Sequence, residues 1–117
     1  MKTILIVEDV ELNIDLLTQL LEDDYRLLIA RDGAEGVDMA CQNKPDLVLM
    51  DVSLPVMNGY EATRKIRETL AEMPIIGLSA HAMQSDIAQA KEAGCNDYLT
   101  KPVDDNLLFE MLEKYLG

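Results

Sequence analysis

The chain is short of several things, and each shortage removes a class of protein. It has only two cysteines, Cys41 and Cys95, in apolar helical contexts without CxxC spacing. They read as buried thiols rather than as a disulfide or a metal pair. Basic residues are scarce: ten Lys and Arg stand against 22 Asp and Glu, a formal charge of −12. That surface repels a duplex phosphate backbone and an anionic leaflet, so nucleic acid and membrane are poor partners, while a bound cation or a basic protein surface fits. Long apolar runs are lacking too. The first, Ile4-Leu5-Ile6-Val7, stops at Glu8-Asp9 after four residues, which makes neither a signal peptide nor a membrane span. The cytoplasm is the expected compartment. There is no low-complexity tract, internal repeat or linker. With 49% hydrophobic and 27% charged residues over 117 positions, one globular domain over residues 1–117 is expected.

What is present is an alternation of short apolar runs and amphipathic stretches. Ile4 to Val7, Leu27 to Ala30, Leu47 to Met50 and Ile75 to Leu78 read as strands covered on both faces, with Tyr98-Leu99 a weak fifth. Between them, Leu12, Leu16 and Leu20, with Leu17 and Leu21, recur at helical spacing. The stretch from Gly33 to Asn43 carries Ala34, Val37, Ala40 and Cys41 on one face, and the one from about Tyr60 to Leu70 carries Ala62, Ile66 and Leu70. Met83, Ile87 and Ala90 mark a helix closed by Gly94. Asp104 or Asp105 caps a last helix bearing Leu108, Met111, Leu112 and Tyr115. The order (βα)₅ predicts an α/β fold: a doubly wound parallel five-stranded sheet with right-handed crossovers. Ligands of such sheets bind beyond the carboxyl ends of the strands.

Chemistry stands at those ends. Glu8-Asp9 follows the first strand, Asp51 the third, Ser79 the fourth and Lys101 the fifth. Each has an ordinary reading by itself: an acidic first helical turn, a turn cap, a small polar residue at a strand end, a solvated lysine. Gathered on one edge, three carboxylates repel one another unless a hard cation joins them, and Mg²⁺ takes carboxylate and phosphate oxygens. Asp51 ends the middle strand of the set and is the best-placed nucleophile, since a carboxylate accepts a phosphoryl group as an aspartyl phosphate. Lys101 and the metal then stabilise charge on the transferring oxygens, and the Ser79 hydroxyl donates to one of them.

Four segments, Leu5-Ile6-Val7-Glu8-Asp9, Leu49 to Gly59 (LMDVSLPVMNG), Leu78-Ser79-Ala80 and Tyr98-Leu99-Thr100-Lys101-Pro102, resemble the receiver domains of two-component response regulators. The resemblance covers essentially the whole chain. It implies a flavodoxin-like strand order of 2-1-3-4-5, Asp51 as phosphoacceptor, and Mg²⁺ held by Glu8, Asp9, Asp51 and the Ser53 backbone carbonyl. Ser79 and Tyr98 become switch residues, Lys101 the phosphate-binding cation, and Lys101-Pro102 a cis peptide. Glu8 stands where Asp is frequent, so its metal contact runs through water; Ser79 stands where Thr is frequent and lacks the packing methyl. Val10 stands where many relatives carry Asn and is assigned no role.

The implied function is phosphorelay signalling. A histidine kinase or histidine phosphotransfer protein donates to Asp51, and a face built from the fourth helix, fifth strand and fifth helix binds a protein target. The resemblance implies a phosphoacceptor switch rather than an enzyme. The Met1 start points to a stand-alone regulator, the alternative being the receiver module of a larger hybrid histidine kinase. An aspartate-nucleophile phosphatase fits less well, because Ser53 occupies the place of its second aspartate. A flavin binder would need a Ser/Thr/Gly phosphate loop where the acidic Glu8-Asp9-Val10-Glu11 stands. The lone His81 reads as a loop residue near the site.

Overall fold

The computed structural model describes residues 1–54, 56–80 and 84–117. The readings placed on Pro55, His81 and Met83 lie outside the described residues. The order is β1 (Thr3–Val7), α1 (Glu11–Leu21), β2 (Arg26–Ala30), α2 (Gly33–Asn43), β3 (Leu47–Asp51), α3 (Gly59–Thr69), β4 (Ile75–Ser79), α4 (Gln84–Ala93), β5 (Asp97–Thr100) and α5 (Asp105–Leu116). All strand pairs are parallel, and the sheet runs β2-β1-β3-β4-β5, the order the resemblance implied.

The continuous apolar runs make sense once both faces of the sheet are covered. Along β1, Leu5 and Val7 face a core shared with α2, α3 and α4, while Ile4 and Ile6 face one shared with α1 and α5. Every residue of β3 and β4 is buried, as expected of central parallel strands.

Short polar side chains set the starts of α2, α3 and α5. The carboxylate of Asp32 accepts from the Glu35 amide at 2.8 Å, the Asn58 carbonyl oxygen from the Glu61 amide at 3.0 Å, and the Asp104 carboxylate from the Leu107 amide at 3.1 Å. Asp104, not Asp105, is therefore the cap of α5, each such cap contributing about 1 kcal/mol. Gly94 closes α4 with φ +114°, the left-handed geometry glycine adopts without penalty. Lys101-Pro102 is cis, as implied.

The leucine pattern of α1 resolves into two faces. Ile14, Leu17 and Leu21 are buried, whereas Leu12 and Leu16 are 67% and 52% exposed. In α2, Gly33, Gly36 and Ala40 are buried and Ala34, Val37 and Cys41 only half-buried. The cysteines are free, Cys95 buried and Cys41 half-buried.

Candidate functional site

Parallel register carries the chemistry to one edge. Val7 lies opposite Met50, Asp51 opposite Leu78, and Ser79 opposite Thr100. Backbone bonds continue the ladder one step past the strands: the Glu8 amide donates to the Ala30 carbonyl at 2.9 Å, and the Lys101 amide to the Ser79 carbonyl at 2.7 Å. The five residues singled out at strand ends therefore converge. Carboxylate oxygens of Glu8, Asp9 and Asp51 all lie within 4.8 Å of one another.

The acids are held differently. Glu8 is fully buried. Its Oε2 accepts from the amides of Asp9 and Val10 at 3.0 and 3.2 Å, and its Oε1 from Lys101 Nζ at 2.7 Å. Asp51 is 3% exposed; its Oδ1 accepts from the Ser53 amide at 3.0 Å and its Oδ2 from Lys101 Nζ at 3.1 Å. Asp9 is exposed and opens the cluster to solvent. Burial, then the neighbouring Asp51, push the Glu8 carboxyl above the ordinary range, and Lys101 and the Val10 amide only partly offset this. Burial of Lys101 would lower its ammonium, but the Glu8 and Asp51 carboxylates outweigh it and hold Lys101 more firmly protonated than usual.

Ser79 is buried at the end of β4, and Tyr98 is half-buried on β5. The Tyr98 ring lies over Gly77, where a Cβ would sit 3.4 Å from Tyr98 Cδ2 and from Cys95 Sγ. Ser53 is exposed beside Asp51. The oxygen-only donor set of Glu8, Asp9 and Asp51 suits a hard cation such as Mg²⁺.

Three features escaped the sequence reading. Lys101 pairs with Glu8 as well as with Asp51, a contact between residues 93 positions apart. Gly59 packs against the phosphoacceptor candidate itself, since a Cβ there would lie 2.2 Å from the Asp51 carbonyl oxygen; glycine after a capping Asn was the available signal. A cavity of about 500 Å³ runs beside the acids, lined by Leu16, Leu20, Leu78, Pro102 and Val103 together with Glu8 and Lys101. The exposed half of the leucine pattern was its trace in the sequence.

Acids, hydroxyl and lysine at the carboxyl edge of a 2-1-3-4-5 parallel sheet define the phosphoacceptor module of two-component signalling. The chain belongs to the response regulator receiver domain family, whose sequence pattern matches residues 4–113. It is 37% identical to the polar-differentiation response regulator DivK of Brucella anthropi, over 99% of this chain and 97% of that relative. The receiver domain of the sensor histidine kinase PA1611 of Pseudomonas aeruginosa, with a magnesium ion coordinated in its active-site cleft, is 39% identical and superposes with a TM-score of 0.92, covering 99% of this chain and 98% of that one. The receiver domain of the Saccharomyces cerevisiae response regulator Ssk1, solved with the histidine phosphotransfer protein Ypd1, gives a TM-score of 0.92 at 31% identity, covering 97% and 88%. The protein is thus a receiver domain of the two-component phosphorelay. No helix among the described residues is long and apolar enough to cross a membrane.

Proposed function

We propose that Asp51 accepts a phosphoryl group from a histidine kinase or histidine phosphotransfer protein. The P–N bond of the donor's phosphohistidine breaks as an Asp51 Oδ–P bond forms, and the imidazole keeps the electron pair. The observation that carries this reading is the placement of Asp51: a buried carboxylate on the central strand, held by the Ser53 amide and Lys101, with two further acids beside it. Glu8, Asp9, Asp51 and the Ser53 carbonyl are the residues for Mg²⁺, which when bound neutralises charge on the transferring oxygens. Lys101 does the same from the protein side, and Ser79 donates to a phosphoryl oxygen.

The groove beside α1 supports the direction from which the donor arrives. Because it shares Glu8 and Lys101 with the acidic site, an apolar ridge seated in it brings a donor histidine next to Asp51. The phosphoryl group adds charge of about −1.5 to −2. Drawing in Ser79 and Lys101 then biases Tyr98 and the surface of α4, β5 and α5 toward binding a protein target. The protein works in the cytoplasm as one domain over residues 1–117, alone or as the receiver segment of a hybrid kinase, and acts as a switch with no substrate of its own to turn over.

The test is incubation with acetyl phosphate and Mg²⁺ followed by intact-mass spectrometry. One phosphoryl group adds to the wild type and none to Asp51→Asn. Equal modification of both proteins would overturn the assignment.

A further inference from the structure

Helix α2 contributes no residue to the acidic site, yet its first turn touches both sides of that site. Gly36 seats the helix on the exit of β1: a Cβ there would lie 2.9 Å from Cγ1 of Val7, the residue before Glu8. Gly33 seats the β3–α3 loop on the helix: a Cβ there would collide with the Met57 carbonyl oxygen and lie 2.8 Å from the carbonyl carbon. Gly33 is not among the residues of positive φ, so left-handed backbone does not call for glycine here, and glycine weakens a helix. Close backbone approach is the reason that remains. We propose that Gly33 is a positioning residue for the cation site: through α2 it sets the distance between the Asp9 side, at the exit of β1, and the Ser53 side, on the β3–α3 loop. This rests on the reading of Asp51 as a phosphoacceptor with Mg²⁺ beside it.

The loop is held at a second point by Gly59, where a Cβ would lie 2.6 Å from Val52 Cα and whose amide donates to the Val52 carbonyl at 3.2 Å. Fixed at Met57 on α2 and at Gly59 on the exit of β3, the backbone takes an imposed path. Val56 has φ +67° although its side chain is 86% exposed and gains no packing in return. The platform itself is firm. The Asp32 carboxylate accepts from the Glu35 amide at 2.8 Å and the Asp32 carbonyl from the Gly36 amide at 3.0 Å, and Gly33 and Gly36 are both buried. A methyl group at residue 33 would meet backbone, which cannot rotate aside as a side chain does, so the loop would lift and carry Ser53 with it. Mg²⁺ demands near-ideal octahedral geometry, and a site displaced on one side binds it less well.

Calorimetric titration of Mg²⁺ into wild type, Gly33→Ala and Ala40→Gly tests this. Ala40 is buried on the same helix, about 10 Å further along its axis. Gly33→Ala weakens Mg²⁺ binding about tenfold, as loss of a support behind metal ligands does. Ala40→Gly lowers the melting temperature but keeps wild-type affinity. Unchanged affinity in Gly33→Ala, or equal weakening in both variants, would overturn the proposal. A second measurement needs no variant, so misfolding of Gly33→Ala leaves a decisive result. In NMR of the wild type, the Overhauser contact between the Gly33 α-protons and Met57 persists throughout a Mg²⁺ titration; its loss on saturation would show that the loop reaches its bound position without α2. A wild type that binds no Mg²⁺ would overturn the underlying reading, and this proposal with it, before any variant is compared.

Discussion

A buried carboxylate is costly unless its charge is met, and Glu8 shows how far one chain goes to meet it. Two amides and one ammonium surround the group, and its carboxyl still titrates above the ordinary range because burial and Asp51 outweigh them. The sign of the consequence follows. An acid whose folded pKa exceeds its unfolded value of about 4.3 binds more protons when folded, so its contribution to stability falls as pH rises through that interval. In metal-free urea denaturation, Glu8→Gln should therefore gain stability relative to wild type as pH rises from about 4.3 through the raised value. A constant difference across that range would show that Lys101 and the amides fully compensate the charge.

At the scale of elements, α1 and the loop after β3 carry features that the hydrophobic core does not require. Leu16 is 52% exposed and lines the groove that shares Glu8 and Lys101. Removing one apolar contact of about 1.5–3 kcal/mol should slow phosphoryl transfer from a protein donor. For Leu16→Asp, transfer from a phosphorylated histidine phosphotransfer protein should fall about tenfold or more relative to transfer from acetyl phosphate. Parallel losses with both donors would remove the groove from donor docking. In the β3–α3 loop, Val56 has φ +67° and is 86% exposed. A β-branched residue pays steric strain there and buries nothing in return. Val56→Asn should raise stability by about 0.5–1 kcal/mol, read as a higher urea midpoint with unchanged slope; a lower midpoint would mean that the valine contributes packing.

At the scale of the whole molecule, the −12 charge and the acid cluster make a cation a natural stabiliser. Binding to the folded state alone contributes RT ln(1 + [L]/Kd), about 1–3 kcal/mol at tens to a hundred times Kd. Mg²⁺ should raise the melting temperature of the wild type, and Asp9→Ala should blunt the shift. An unmoved wild-type transition would argue against Mg²⁺ as the cation.

The amino-acid sequence by itself determined the alternation of elements and the residues at the ends of strands. Those are local patterns: four apolar residues followed by Glu8-Asp9 or by Asp51 mark a buried strand and its exit whatever the rest of the chain does. Parallel pairing then obliges every exit to share one edge, so the composition of the site was legible before its geometry. Tertiary structure alone decided the contacts within that edge. Spacing of four occurs on both leucine faces of α1, and only packing against β1, β3 and α5 selects Leu17 and Leu21 for burial and leaves Leu12 and Leu16 uncovered. Two adjacent aspartates are equal candidates to cap α5, and the extended backbone of Asp104 settles the matter. Lys101 could have met any of three acids; it takes Glu8 and Asp51 because burial leaves those two charges without water, while Asp9 keeps its own hydration.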